Sequence, residues 1–346
     1  MPSKLSDTTQ PIHLYSDWKA ELSQTIDSSA ELLCRLGLNK QDLSDAQRAA
    51  ASFPLKVPES FVARMSSGNP LDPLLTQVLP TKAELDTSTH YSGDPLKESQ
   101  YNPVPGIVHK YRSRALLIVS PNCAINCRYC FRRHFPYQEN RQSRQQWQQA
   151  LEYIRNKPEI NEVIYSGGDP LAANDHFLGW LTAQIEAIAH IKRLRIHTRL
   201  PVVIPSRIDH QLLAWLTATR FKPIMVLHIN HANEIDQTLH NALQRLSEAG
   251  ITLLNQTVLL RGVNDQTSAL VALSEKLFDS AIIPYYLHLL DPVQGASHFD
   301  IAYPRALDLY QQMQAELPGF LVPKLVRDNP GEASKTIQNT DKSQGD

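Results

Sequence analysis

The chain of 346 residues is short of cysteine, methionine, tryptophan and glycine, with 4, 4, 4 and 13 of them, and it has almost no net charge. Each shortage closes a class of explanation. Four cysteines cannot staple a fold of this length, so a buried core must hold it, and 346 residues can bury a substantial one. A formal charge of -1 gives no global pull toward nucleic acid or an anionic membrane, so any charged ligand must be met locally. No run approaches the ~18 apolar residues that a membrane span needs. The polar opening MPSKLSDTTQP lacks the apolar stretch of an export signal. The expected setting is cytoplasmic, with no nucleic-acid or membrane partner.

In a reducing compartment thiols stay free or bind metal. Three of the four cysteines fall in one short run, Cys123-Ala124-Ile125-Asn126-Cys127-Arg128-Tyr129-Cys130, which reads as a metal site. Cys34, within LLCRLGL, reads as a small buried residue on an apolar helix face.

Residues 1–105 read as a helical region broken by proline, followed by a connecting arm, THYSGDPLKESQYNPVPG. From Arg114 onward, short β-branched or apolar runs alternate with amphipathic helices. Strands are predicted at 114–120, 162–166, 193–199, 223–229, 252–260 and 281–289. Trp147, Leu151 and Ile154 mark one helix stripe; Leu178, Leu181, Ile185 and Ile188 a second; Ile235, Leu239, Ala242 and Leu246 a third. Strands that alternate with helices return to the same edge by crossovers, which makes the sheet parallel. The expected fold is α/β: a partial (β/α)6 TIM-like barrel over 106–320, preceded by the helical region and followed by a C-terminal segment, 321–346. A doubly wound open sheet is the alternative.

Both designs gather ligands at the carboxyl ends of the strands. The unusual polar residues sit there: CAINCRYCFRR after the first strand, Gly167-Gly168-Asp169-Pro170 after the second, Arg199 ending the third, His228 to His231 closing the fourth and Asp291-Pro292 after the sixth. Asn255-Gln256 lies within the fifth.

Three soft thiolates select zinc, copper(I) or an iron–sulfur cluster. A closed zinc site wants a fourth protein ligand, for which His134 is the nearby candidate. The other reading is that three is the functional number, leaving one iron of a four-iron cluster open to a ligand that is not protein. The spacing C-x3-C-x2-C, with Tyr129 before its last cysteine, resembles the signature of the radical S-adenosylmethionine (SAM) superfamily. That resemblance implies a [4Fe–4S] cluster whose open iron is chelated by SAM, and a 5′-deoxyadenosyl radical formed by cleavage of the sulfonium. Gly167-Gly168-Asp169 resembles the superfamily's GGE-type motif, which meets the amino group of SAM.

The ordered set VHKYRSRALL, CRYCFRR, YSGGDPL, HTRLPVVIPSRI, HINHANEI, NQTVLLRGVND, PYYLHLLD and the spacing Asp328-x6-Lys335 resembles the lysine 2,3-aminomutase family, over 100–336. The resemblance implies a radical 1,2-amino shift from (S)-α-lysine to (R)-β-lysine that uses pyridoxal 5′-phosphate (PLP). Lys335 matches the lysine that forms a Schiff base with PLP. Lys110, Tyr111 and Arg114 match positions near that cofactor and its phosphate, and His228 and Gln256 match contacts to SAM. Arg132 matches the residue that holds the substrate carboxylate, while Asp291 and Asp328 match the pair that binds the distal ammonium. Lys110 and His288 stand where larger members have arginine and tyrosine, and the 328–335 linker is less glycine-rich. The sequence ends eleven residues after Lys335, resembling the family's shorter bacterial form, which makes β-lysine for elongation factor P and its ligase. An electron donor such as a flavodoxin or ferredoxin is implied as well. Two other classes stay open here: a radical SAM enzyme of another reaction without PLP, and a zinc-stabilised binding module.

Overall fold

A nine-stranded sheet, with strands in the order of the sequence, organises the chain. The computed structural model describes residues 17–39, 43–86, 88–140 and 142–338. Strand β1 (Ile107–Tyr111) runs antiparallel to β2 (Arg114–Ser120). From β2 onward the pairing is parallel, through β3 (Glu162–Gly167), β4 (Arg193–Thr198), β5 (Ile224–His228), β6 (Thr252–Val258), β7 (Ile283–His288) and β8 (Lys324–Arg327). A two-residue β9 (Thr336–Ile337) pairs antiparallel with β8.

All six expected strands are present. β1, β8 and β9 were not foreseen, because runs as short as KLVR and TI give too few alternations to register. Strand ends differ by a residue or two for a local reason. β5 stops at His228 because the side chain of Asn255 accepts from Ile229 N (2.9 Å) and, with Thr257, donates to Ile229 O (3.0 and 2.9 Å). The apolar pattern runs one residue past the last ladder bond.

Helices precede and cross over the sheet. The N-terminal region holds α1 (Trp18–Ser23), α2 (Ser29–Arg35), α3 (Leu43–Ser52), α4 (Glu59–Val62) and α5 (Pro73–Thr76). The crossovers carry α6 (Arg144–Arg155), α7 (Asp175–Glu186), the short α8 (Leu200–Val203) with α9 (His210–Thr217), α10 (Gln237–Glu248), α11 (Thr267–Asp279) and α12 (Tyr303–Glu316). Ser143, Asn174, Asp209 and Asp236 cap α6, α7, α9 and α10 by accepting from backbone N–H groups that have no partner inside the helix. Gly250 takes φ +79 just past α10, as a left-handed C-terminal stop requires.

The helices bury their apolar stripes against the sheet, and the N-terminal region shares that core: Leu32, Phe61, Leu74 and Leu75 belong to one buried cluster with Leu117 and Ile196. Cys34 does not follow the expectation, since it is exposed. The buried stripe of α2 is Ser29, Leu32 and Leu33, and Cys34 falls one residue off it. No helix among the described residues is long and apolar enough to cross a membrane.

The sheet curls. At ~4.8 Å per strand, a flat sheet would hold β1 and β8 more than ~30 Å apart. Instead Lys110 and Tyr111, at the end of β1, hydrogen-bond the carboxylate of Asp328, the residue after β8. The edges meet through side chains, without backbone pairing between β1 and β8 among the described residues, so the barrel is partial and its seam is polar.

Candidate active site

Inside the curl lies a cavity of about 430 Å³, within the range of small-molecule sites, roughly 300–1,000 Å³. The structure brings the fifteen residues that the two resemblances point to onto its wall: Cys123, Cys127, Cys130, Lys110, Tyr111, Arg114, Arg132, Gly167, Gly168, Asp169, His228, Gln256, Asp291, Asp328 and Lys335. His134 is not on that wall; its Nε2 faces the carbonyl of Gln294 at 3.2 Å.

The cysteines come from the loop after β2. Burial pushes the Cys123 thiol well up, and burial with Cys127 nearby pushes Cys130 to about 11. Two thiols that resist ionising, Cys123 and Cys130, on one loop with a third are a donor set that a cationic centre would relieve. Among the described residues no three His, Cys, Asp or Glu groups are placed to hold a single metal ion, and the three cysteines line the cavity wall. Arg199, at the end of β4, donates from Nη1 to Cys127 Sγ at 2.7 Å. Its Nη2 is held by Gln77 Oε1 (2.7 Å) and Glu234 Oε2 (3.0 Å).

The Gly-Gly-Asp turn after β3 has a structural reason of its own. Gly167 lies at φ +131, and a Cβ there would stand 2.4 Å from the carbonyl oxygen of Ser120. A Cβ on Gly168 would stand 2.7 Å from the carbonyls of Pro121 and Asn122. The glycines let this turn press against the stem of the cysteine loop. Asp169 spends its oxygens inside the protein: Oδ1 accepts from Leu171 N (3.0 Å) and Thr198 Oγ1 (2.7 Å), and Oδ2 from Arg199 N (2.7 Å) and Leu200 N (2.8 Å).

Lys335 precedes β9 and reaches Asp328 Oδ2 at 2.8 Å, while Lys110 and the Tyr111 hydroxyl (3.0 Å) take Oδ1. Burial pushes the Asp328 carboxyl up, but Lys335 and Lys110 outweigh it and bring it to about 2. Asp291 has no side-chain hydrogen bond or ion pair among the described residues, and burial pushes it up to about 7 against the pull of Lys335. Two carboxylates facing one space are thus set apart in proton affinity by their partners.

Arg132 is already engaged. Nε and Nη2 donate to Glu98 at 2.7 Å each, and Nη1 donates to Ser166 Oγ at 2.9 Å and to Gly167 O at 3.4 Å. The Arg114 side chain makes no hydrogen bond or ion pair to any described residue; its guanidinium stacks on the Tyr111 ring at 4.2 Å. Gln256 Nε2 stands 3.0 Å from His228 Nε2 and donates to it, which requires a neutral imidazole. Burial, with Arg199 nearby, holds the His228 pKa down to about 3. His197 and His288 are also held well below their ordinary value, chiefly by burial.

Sequence reasoning missed Glu98, Arg195 and His197, and noted Arg199 without giving it a role. Arg195, His197 and Arg199 face the cavity at every second position of β4 and just beyond, a period-2 polar pattern that was open to view. Five buried polar atoms on this wall, Arg133 Nε, Arg195 Nε, His197 Nε2, Arg199 Nε and His288 Nε2, have no hydrogen-bond partner among the described residues. Orphans of this kind cost ~1–3 kcal/mol each, and gathered on one cavity they call for polar ligands.

The Radical SAM superfamily profile matches residues 117–273. L-lysine 2,3-aminomutase of Escherichia coli (strain K12) is 50% identical over 321 residues, covering 92% of this chain and 94% of that one. The chain belongs to the lysine 2,3-aminomutase family. L-lysine 2,3-aminomutase of Haemophilus influenzae is also 50% identical, covering 93% of this chain and 95% of that one. The enzyme of that name from Clostridium subterminale is 33% identical, covering 93% and 77%. As a radical SAM enzyme of the lysine 2,3-aminomutase family, the protein takes a [4Fe–4S] cluster, SAM and PLP. The wall fits them: three half-buried thiols for a cluster, and an unpaired guanidinium with orphaned polar nitrogens for the anionic groups of SAM and PLP.

Proposed function

We propose that the protein converts L-lysine to (R)-β-lysine by a radical 1,2-amino shift. The observation that carries this reading is that Lys335 and the three cysteines face one cavity. When bound, SAM at the cluster supplies the hydrogen-abstracting radical and PLP carries the migrating amino group.

In this reading Cys123, Cys127 and Cys130 hold the cluster and Lys335 holds PLP, with Arg114, Tyr111 and Lys110 toward its phosphate. His228, Gln256 and the backbone of Gly167 and Gly168 line the SAM side. Arg132 faces the substrate carboxylate through the N–H that its protein partners leave over. Asp291 and Asp328 receive the distal ammonium, which favours lysine over an acidic amino acid because two carboxylates would repel a third. The neutral imidazoles of His197, His228 and His288 offer hydrogen bonds without mobile charge, and the curled sheet keeps water from a reactive carbon radical.

The destination of the product in this reading is elongation factor P, through its ligase; that step is supported by the sequence resemblance to the shorter bacterial members. An electron donor of the flavodoxin or ferredoxin type supplies the electron.

The test is an anaerobic assay with labelled lysine, reductant, SAM and PLP that resolves α- from β-lysine. Lys335→Ala should lose borohydride-trappable PLP and keep iron and sulfide, and Cys127→Ala should do the reverse. Unchanged β-lysine formation by either variant rejects the assignment.

A further inference from the structure

The loop that carries the cysteines is gripped from outside the barrel. Asn126 N, just before Cys127, donates to Lys56 O at 3.0 Å, and Arg128 N, just after it, donates to Gln77 O at 2.9 Å. The Asn126 side chain donates to Pro54 O at 3.0 Å. Arg128 is fully buried; its Nε donates to Glu84 Oε1 at 2.8 Å and its Nη1 to Phe53 O at 2.7 Å. Arg133 Nη2 donates to Glu84 Oε2 at 2.9 Å, and its Nη1 to Arg128 O at 3.1 Å. Both guanidinium groups stack on the Phe53 ring, at 4.9 and 4.7 Å.

These contacts involve no cluster atom, and each fixes backbone next to a cysteine. One buried carboxylate, Glu84, joins two arginines that bracket Cys130. A buried Arg–Glu–Arg set is weak as a source of stability but strict in geometry, since each donor direction is fixed. Such a set suits a part whose task is shape.

We propose that residues 53–84 are a brace that sets the Cys123–Cys130 loop in its ligating shape before the iron–sulfur cluster is built. Glu84 is the positioning residue, acting through Arg128 and Arg133. The inference rests on the reading that these three cysteines hold the cluster. It gives the N-terminal region a role in cofactor retention that its sequence, which carries no motif, does not advertise.

Two measurements test it. Hydrogen exchange on the cluster-free wild-type protein should find the amides of Asn126 and Arg128 protected; exchange at the rate of an unstructured peptide overturns the proposal, whatever the variants do. Glu84→Gln keeps the shape and removes the charge. Loaded anaerobically and challenged with an iron chelator, it should lose its cluster absorbance at least tenfold faster than wild type. Asp175→Asn is the control, because Asp175 is also a buried carboxylate paired with a buried arginine, Arg207, at 2.7 Å, and it touches neither the loop nor residues 53–84; its cluster should bleach within twofold of wild type. Equal bleaching of the two variants would mean that loss of a buried carboxylate anywhere loosens the cluster, and the brace is rejected. Failure of the underlying reading looks different: Cys127→Ala would then carry as much iron and sulfide as wild type.

Discussion

Asp328→Asn isolates the charge at the seam of the barrel, because the amide keeps the shape and loses the negative charge. In the resting protein that charge is shared by Lys335 Nζ (2.8 Å), Lys110 Nζ and the Tyr111 hydroxyl (3.0 Å). The carboxyl is held at about 2 against an ordinary 3.8, even though burial works the other way. Set against its ordinary value, a carboxyl held that low is worth roughly 2–3 kcal/mol, at ~1.4 kcal/mol for each tenfold change in proton affinity. The native state prefers the charged form, so this stabilisation is complete above pH 3.8 and drains away as pH falls toward about 2. Urea unfolding of the cofactor-free protein at pH 7 should therefore show the variant less stable by ~2–3 kcal/mol, with the gap narrowing below pH 4. A second readout concerns substrate. Removing one partner of a buried charge pair costs ~2–5 kcal/mol, so kcat/KM for lysine should fall ~30-fold or more. For norleucine, whose side chain ends in a methyl group, any residual turnover should be nearly unchanged. Equal urea midpoints at pH 7 would refute the electrostatic argument, and a lysine kcat/KM within threefold of wild type would refute the ammonium assignment.

Asp291 titrates near the working pH: burial raises it to about 7, and a cationic side chain needs it ionised. The apparent KM for lysine should rise as pH drops below 7, and Asp291→Asn should abolish that dependence; a parallel pH profile in wild type and variant tells against it. Gly167→Ala must place a Cβ 2.4 Å from the Ser120 carbonyl at φ +131, so thermal unfolding should show a loss of more than ~3 kcal/mol. Gly37→Ala, at φ +65 with nothing within 4 Å, should cost only ~1 kcal/mol, which separates the close contact from the backbone effect.

Much of this site was legible because its chemistry is carried by residues close together in sequence. Cysteines at C-x3-C-x2-C and the Asp328-x6-Lys335 pair need only one loop each to meet their neighbours. What escaped notice is carried by pairs far apart. Glu98 lies 34 residues from Arg132, and Glu84 lies 44 from Arg128; no local pattern marks either glutamate, because its partner is supplied by the fold. The same distance effect changes the meaning of residues that were found. Arg132 stands at a motif position that suggests an open fork, yet four of its donor contacts go to Glu98, Ser166 and Gly167. Asp169 stands where a ligand contact was expected, yet it caps the turn at Pro170 and tethers Thr198, Arg199 and Leu200. In both cases a residue is assigned by its place in the chain, and its partners are assigned by the segments that the fold returns beside it: the arm before β1 for Arg132 and the end of β4 for Asp169.

The seam ties the fold to the proposed chemistry. A barrel closed by a full backbone ladder can open there only by breaking several hydrogen bonds together. Here the described edges meet through one carboxylate, and the segment between β8 and β9 that carries Lys335 is tied to its surroundings by few contacts, among them Asn329 Nδ2 to Thr336 Oγ1 at 3.1 Å. On the proposed assignment, a substrate ammonium that reaches Asp328 enters the place held by Lys110 and Lys335 in the resting protein. Exchange of one cation for another at a fixed carboxylate leaves the local charge count unchanged, so the seam need not part while Lys335 gives up its hold. On that assignment the acid that recognises the substrate is also the one that closes the barrel, and it can serve both purposes because each requires the same thing of it: a negative charge held between two cations.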